Sequence, residues 1–381
     1  MTHLMLHGNV FGVAIGQTGA RGDDGIVSTQ MLMANVGKTF GDRHFLNLAL
    51  MMSFEKWTLK ENGYPLILQT GEANRNAVPY IDAQHPHNSP VMGLTLSDTI
   101  RLGDGDKKSF LKVFFAPRGQ STEGPIVFMH RPTGVPNPDA PLGHHIGQDV
   151  GHITSTVLGG ALKRGANQIE ASVFNGTEPE PDEVNLPFGA PNSAALRFTR
   201  FFSDDLFAMA SIAYVDEPHP HGHTTESGSA VSLYDDDITH LVRYSLSSYV
   251  KNQISSSWNL YNTLIYGSYQ TFGVATFRHS FSHEFLFQSE QSNVFWRSEV
   301  LQRVPAELLI RSAPRQLDGR WVRAFTLGYS HVVKDFGTVQ LRAGASGTKS
   351  FVPGDFIGAY DGNPWSGKVF LQLSGMQMWG G

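Results

Sequence analysis

A chain of 381 residues is long enough for two or three soluble domains, or for one closed sheet whose strands and loops consume the whole length. Only 17% of the residues are charged, whereas 40 are glycine and 11% aromatic, a mixture unlike that of helical domains and readable as β-structure with turns. The net charge of −5, without a Lys/Arg run, argues against nucleic acid as the main partner, and the lack of cysteine excludes disulfides, thiolate metal sites and cysteine nucleophiles.

No apolar stretch approaches the ~20 residues of a membrane helix. The start, MTHLMLHGNVFG, lacks the basic and apolar regions of a signal peptide, so export would require numbering that begins after a removed or replaced signal. Short runs with period-2 alternation recur from end to end, and no sustained 3.6-residue pattern interrupts them. In chain order the expected strands cover residues 4–16, 26–37, 44–55, 91–102, 109–117, 152–162, 168–175, 194–202, 206–215, 238–246, 255–269, 274–288, 293–303, 322–333, 338–348 and 368–376.

The connections alternate between tight and long. Tight ones fall at 41–42, 103–106, 163–165, 203–205, 247–252, 289–292 and 334–337, and long polar ones at 56–90, 118–151, 176–193, 216–237 and 304–320. Only the connection after Tyr269 is short where a long one is due. This is the pattern of an all-β, transmembrane, up-and-down antiparallel barrel of about 16 strands, with short periplasmic turns, long external loops and both termini on the periplasmic side. The whole chain, 1–381, then forms one domain. Soluble sandwiches or propellers are the competing class, but no blade-length repeat or domain break is present.

Faces of single strands agree. Phe325, Leu327 and Tyr329 oppose Thr326, Gly328 and Ser330, while Leu46, Leu48, Leu50, Met52 and Phe54 oppose Asn47, Ala49, Met51, Ser53 and Glu55. An apolar face against a polar one suits lipid outside and water inside. One run troubles this scheme, because His279 and His283 share the face of Phe277, Phe281, Phe285 and Phe287. A position near the interface, a bulge, or cover by another chain would each reduce the cost.

In architecture the chain resembles the sixteen-stranded bacterial porins. The stretches ILQTGE, YIDAQHPHNSP and MHRPTGVPNPDAPLGHH also resemble a little-characterised outer-membrane barrel family associated with metal-handling gene neighbourhoods. The porin resemblance implies a bacterial outer-membrane location, outer-membrane lipid as surroundings, and a homotrimer with an apolar contact wall. It also implies that the third external loop, 118–151, folds inward and carries His130, Arg131, His144 and His145 to the narrowest point. Two departures are the end Met378-Trp379-Gly380-Gly381, where porins end in an aromatic residue, and a third loop without an obvious acidic cluster.

Projecting polar faces inward gives a lumen lined by Arg101, Lys112, Glu170, Arg197, Arg243, Arg278, Glu284, Arg297, Glu299, Arg342 and Lys368, with Glu55 beside them. Bases outnumber acids. Such a field prefers anions, more so as histidines titrate below pH ~6.5, unless the charges pair across strands and merely stiffen the wall. The 16 histidines concentrate in long loops. Asp82 with His85 and His87, Asp149 with His152 after His144-His145, and His219, His221 and His223 each place imidazoles close enough to share a Zn or Cu ion. Solvated loop histidine is the plainer alternative, and no cofactor is required.

Catalytic patterns are weak. His283-Glu284 has Phe287 where a zincin needs its second histidine, and no GxSxG occurs. A Ser-His pair built from His279 and Ser280 or Ser282 fails because adjacent strand residues face opposite ways. The expectation is therefore a non-enzymatic channel passing small polar solutes. The alternative is a loop-plugged barrel that binds a transition metal or a partner through its histidine-rich loops.

Overall fold

Antiparallel pairing runs unbroken around a closed barrel in the computed structural model, which describes residues 2–59, 61–73, 79–87, 89–103, 109–177, 188–216, 240–271 and 277–380. The strands are β1 (Thr2–Gln17), β2 (Gly25–Phe40), β3 (His44–Met52), β4 (Tyr64–Ala73), β5 (Pro79–Gln84), β6 (Val91–Arg101), β7 (Phe110–Gly119), β8 (Thr154–Arg164) and β9 (Asn167–Asn175). They continue with β10 (Ser193–Phe201), β11 (Leu206–Asp216), β12 (His240–Gln253), β13 (Asn259–Thr271), β14 (Phe277–Gln288), β15 (Ser292–Arg303), β16 (Arg320–Asp335), β17 (Val339–Phe351) and β18 (Trp365–Trp379).

All but β4 and β5 form the barrel, in the order of the sequence, and β1 closes the ring against β18 from Leu4–Trp379 to Gln17–Ser366. Sixteen barrel strands follow the sixteen expected runs. Closure leaves no sheet edge, which is what allows strands to cross a hydrocarbon layer. The outward members of each alternation are apolar and uncovered within the chain, among them Leu48, Leu96, Leu158, Ile169, Leu196, Leu246, Leu264 and Leu327. A closed barrel with such an outer belt and a polar lining is the architecture of bacterial outer-membrane proteins.

Inside, several phenylalanine rings lie over glycines of the next strand: Phe45 over Gly37, Phe114 over Gly159, Phe295 over Gly328 and Phe370 over Gly344. A Cβ at Gly328 would enter the Phe295 ring, so the bare backbone is required there.

Sequence periodicity missed what the long connections contain. The connection expected as irregular over 56–90 holds α1 (Glu55–Thr58) and the β4–β5 hairpin, and that over 118–151 holds short helical turns at Phe128–His130, His144–Gln148 and Val150–His152. Later, α2 (Ile357–Tyr360) precedes β18. These segments are not external lobes. Tyr64, Leu66, Ile67 and Leu68 of β4, Leu142 and Ile146, Leu308 and Ile310, and Phe356 and Tyr360 form one buried apolar cluster with Phe11, Val13 and Ile15 of β1, Phe295 of β15 and Phe370 of β18. A hydrophobic core therefore sits inside the barrel on the β14–β1 side, which is why these connections turn inward.

Candidate functional site

Loop 3, residues 120–153, enters the lumen from the end of β7 and makes a circuit of the inner wall before returning to β8. The first segment is held on β9 and β11, where Thr122 N–H donates to Ser172 Oγ at 2.9 Å and Gly124 N–H to Ser211 Oγ at 2.9 Å. At the far side, Val135 carbonyl accepts from Asn9 of β1 and Gln372 of β18. Leu142 N–H then donates to Glu299 of β15 at 2.6 Å, and Gln148 reaches Ser280 of β14. The inward fold implied by the porin resemblance is present.

What loop 3 brings to the wall differs from the expected increase in positive charge. Arg131 is fully buried and meets Asp149 of its own loop at 3.0 Å and Glu284 of β14 at 2.9 Å. Glu284 also accepts from Arg297 at 3.1 Å and from Thr133 at 2.7 Å. Asp139 accepts from Lys368 and from the Tyr64 hydroxyl, each at 2.7 Å, and Glu123 pairs with Arg243 at 3.2 Å. The acids of loop 3 thus neutralise wall cations one by one instead of forming a constriction cluster. Taking these groups out of water is costly, so their close pairing is a condition of the closed arrangement.

Other projected wall charges divide between pairs and solitary groups. Arg197 and Glu170 meet at 2.8 Å, Arg278 donates to Leu317 carbonyl, and Arg342 donates to the carbonyls of Glu290 and Gln291. Among the described residues Arg101 and Lys112 make no ion pair within 4 Å, and buried Arg118, which the sequence reading overlooked, has no hydrogen-bond partner at any guanidinium nitrogen. A basic remainder survives the pairing.

Five histidines from loops 2 and 3 share one buried space. His87 donates from Nδ1 to Glu55 at 2.5 Å, and its backbone N–H reaches the same carboxylate at 3.1 Å. His152 Nδ1 lies 2.6 Å from Asp149 carbonyl, an acceptor only, so this nitrogen carries the proton. With both Nδ1 atoms so engaged, the two Nε2 atoms face each other at 3.3 Å. The His144 ring is 4.7 Å from His152 and 4.8 Å from His145, and His85 is 5.5 Å from His145. Ring nitrogens of His85, His144 and His145 lie within 4.8 Å of one another. Bare backbone at Gly71 makes room for the His145 ring, since a Cβ there would come within 2.8 Å of it.

Burial and mutual repulsion set the protonation of these groups. His144 is held well below the usual imidazole range by burial and by His152 and His145, and burial with His87 nearby brings His152 down to about 3. Burial also lowers His130 to about 4, with His7 adding to the effect. Glu55 stays below the usual carboxylate range because His87 outweighs the burial that opposes ionisation, whereas burial raises Asp149 to about 7. The expected titration of His130 and His144 between pH 7.5 and 5.5 is therefore corrected: both are already neutral there.

The candidate ligand set needs correction too. His85, His87 and His152 converge, but Asp82 turns away, accepting from Leu68 N–H, the Tyr360 hydroxyl and Arg21. The Asp149 carboxylate is taken by Arg131, and only its carbonyl touches the cluster. Glu55, read as wall lining, belongs with the histidines, as do His144 and His145, which the sequence suggested both as constriction residues and as imidazoles able to share an ion. His144 and His145 stand at the end of MHRPTGVPNPDAPLGHH and His85 and His87 within YIDAQHPHNSP, two of the stretches that carry the family resemblance, whereas nothing in the sequence marked Glu55. His219, His221 and His223 lie outside the described residues.

Comparison with solved structures places this geometry in context. Salmonella typhi OmpF, in a complex with daunomycin, matches over 97% of both chains with a TM-score of 0.56 at 9% identity. The fold is a porin barrel. An anion-selective porin from Comamonas acidovorans matches over 99% of both chains with a TM-score of 0.51 at 10% identity. Vibrio cholerae OmpT in its trimer form matches over 97% of this chain and 98% of its own, with a TM-score of 0.50 at 9% identity. No family model matches the chain, and no curated protein matches it by sequence. Within the porin barrel, the lumen-crossing loop and the buried histidines are features of this chain's own side chains.

Proposed function

We propose that the protein is a selective outer-membrane channel for small polar solutes, narrowed from the external side by its own loops. The observation that supports this reading most is the attachment of loop 3 to opposite walls through Arg131–Glu284, Asp139–Lys368 and Glu123–Arg243. A loop held at several points across the lumen leaves a restricted passage, not a wide aqueous bore. Arg101, Lys112 and Arg118, none of them in an ion pair within 4 Å among the described residues, leave the wall basic, so anions pass in preference to cations. No bond is made or broken in such passage.

Planar-bilayer recording tests this. Discrete steps several-fold smaller than those of a sixteen-stranded porin with an unobstructed lumen are expected, with a reversal potential in a KCl gradient that favours chloride. Because burial holds His130 near pKa 4 and keeps His144 well below the usual imidazole range, that potential should change little between pH 7.5 and 5.5. Inserted protein that stays silent would support the plugged alternative, and cation preference would overturn the basic-field reading.

A homotrimer is also favoured by the outer wall. His279 is provided for within the chain, with Tyr266 hydroxyl at 3.0 Å and Ser268 Oγ at 3.2 Å of its Nδ1, in an aromatic layer with Phe277 and Trp321 at the external end of β14. His283 lies at mid-strand beside Ser298 and makes no hydrogen bond among the described residues. A polar ring there is costly against acyl chains and cheaper beneath a neighbouring protomer. Sedimentation in detergent should give a trimer mass that falls towards the monomer in His283→Leu. A monomeric wild type would remove this reading.

A further inference from the structure

Two facing imidazole nitrogens repel unless a proton or a metal ion lies between them, and the lumen holds a facing pair. His152 must carry its proton on Nδ1, because the Asp149 carbonyl beside it can only accept. His87 directs Nδ1 to the Glu55 carboxylate. Each Nε2 therefore presents a lone pair to the other across 3.3 Å unless something electropositive lies there. A proton is one candidate, but it would enter a space that already contains His85, His144 and His145, where each added positive charge is opposed by the others and by burial.

A metal ion fits the distance better. Ligand nitrogens about 2.0–2.1 Å from a tetrahedral ion stand about 3.3–3.4 Å apart, which matches the Nε2 separation. Glu55 on His87 and the Asp149 carbonyl on His152 are the outer partners that fix tautomer and ring orientation in histidine metal sites. The next imidazole is His144, whose ring centre lies 4.7 Å from that of His152; it is buried, its Nδ1 has no hydrogen-bond partner among the described residues, and its ring nitrogens also fall within 4.8 Å of those of His85 and His145.

We propose that His87, His152 and His144 form a transition-metal site inside the barrel, with Glu55 and the Asp149 carbonyl orienting the ligands and copper preferred over zinc. Neutral imidazole binds both metals, and although the 3.3 Å separation corresponds to the tetrahedral angle that zinc adopts, the affinity order at such donors places Cu²⁺ above Zn²⁺. A cavity of about 40 Å³ beside the site is lined by Glu55 and His87 together with Met31 and Met129. His85 and His145, on the outer side of His144, extend the cluster and offer a route of exchange for the ion. The assignment does not depend on whether the barrel conducts.

Untagged protein, folded in detergent and stripped with chelator, should be titrated with Cu²⁺ and with Zn²⁺ and its bound metal measured after dialysis. One tightly held copper per chain is expected, with nitrogen hyperfine structure in its electron paramagnetic resonance spectrum and a lower affinity for zinc. His87→Ala and His152→Ala should each weaken binding by about 100-fold or more, and Glu55→Gln, which removes only an outer partner, by about 10- to 100-fold. Heat-dependent migration in SDS verifies that each variant retains the barrel. His331→Ala, on β16 and hydrogen-bonded to Ser292, and the triple variant His219→Ala, His221→Ala, His223→Ala serve as controls and should bind as the parent does. Failure of the stripped parent to bind either metal, or undiminished binding in His87→Ala and His152→Ala, would overturn the site. Loss of binding in the triple control would move it to the outer loops and overturn it equally. Zinc bound as tightly as copper would refute the metal preference.

Discussion

Glu284→Gln should detach loop 3 from the barrel wall and raise single-channel conductance several-fold. This carboxylate serves both Arg131 and Arg297 and also accepts from Thr133, all in a buried setting. The amide can still accept a hydrogen bond but no longer compensates either guanidinium, and breaking a buried pair from one side costs roughly 3–5 kcal/mol. Arg131 keeps only Asp149, so one carboxylate is left where two, with Thr133 beside them, had held the loop and the wall together. Pairing of the sheet does not involve this side chain, so the heat-dependent SDS shift should persist. Removing the second orphaned charge, as Glu284→Gln with Arg297→Gln, should recover part of the loss, which is the signature of a coupled pair. Unchanged conductance from a folded Glu284→Gln barrel would show that the loop is not held by this latch.

Why the sheet could be read from the sequence and the latch could not is a matter of range. Alternation such as Leu46-Asn47-Leu48-Ala49-Leu50 is a local consequence of facing lipid on one side, and closure follows from repeating it with alternating short and long connections. Arg297 beside Glu284 is a cross-strand neighbour that needs the β14–β15 register, and Arg131, 153 residues before Glu284, needs the path of a loop that has left the wall. The interior core was hidden for a further reason. Phe11, Val13 and Ile15 occupy the inward face of β1, where a water-filled lumen would call for polar groups, and only the inward folding of β4 and of residues 142–146 explains them. The histidine motifs were visible as clusters, but which acid served them was not. Asp82 and Asp149 were nearer in sequence, while Glu55, 32 residues from His87, was the one that reached it.

Asp82 shows what a carboxylate close to histidines in sequence does when it is not among them. It sits in β5 with φ of 54°, and its Oδ1 accepts from Leu68 N–H at 2.6 Å and from the Tyr360 hydroxyl at 2.8 Å, while Oδ2 accepts from Arg21 at 3.2 Å. Arg21 also donates to Leu308 carbonyl at 2.7 Å, so one side chain links the connections after β1, β3, β15 and β17. Leu68 has φ of 70°, a left-handed conformation that costs a branched residue about 1–3 kcal/mol, and it is held there by Asp82 on its N–H and by Arg303 on its carbonyl. Asp82→Ala removes the acceptor of three donors at once; Leu68 N–H and the Tyr360 hydroxyl are left buried at a cost of roughly 1–3 kcal/mol each, while Arg21, partly exposed, keeps only the Leu308 carbonyl. The external loops should then be cleaved by added protease at least ten times faster than in the parent while the barrel remains intact in SDS. Asp82→Asn, which retains an oxygen for Leu68 and Tyr360 but loses the charge facing Arg21, should fall between the two. Metal affinity should be unchanged in both variants, since Asp82 touches none of the histidines. Parental protease resistance in Asp82→Ala would refute the loop-linking role, and a fall in metal affinity with unaltered protease resistance would return Asp82 to the ligand set.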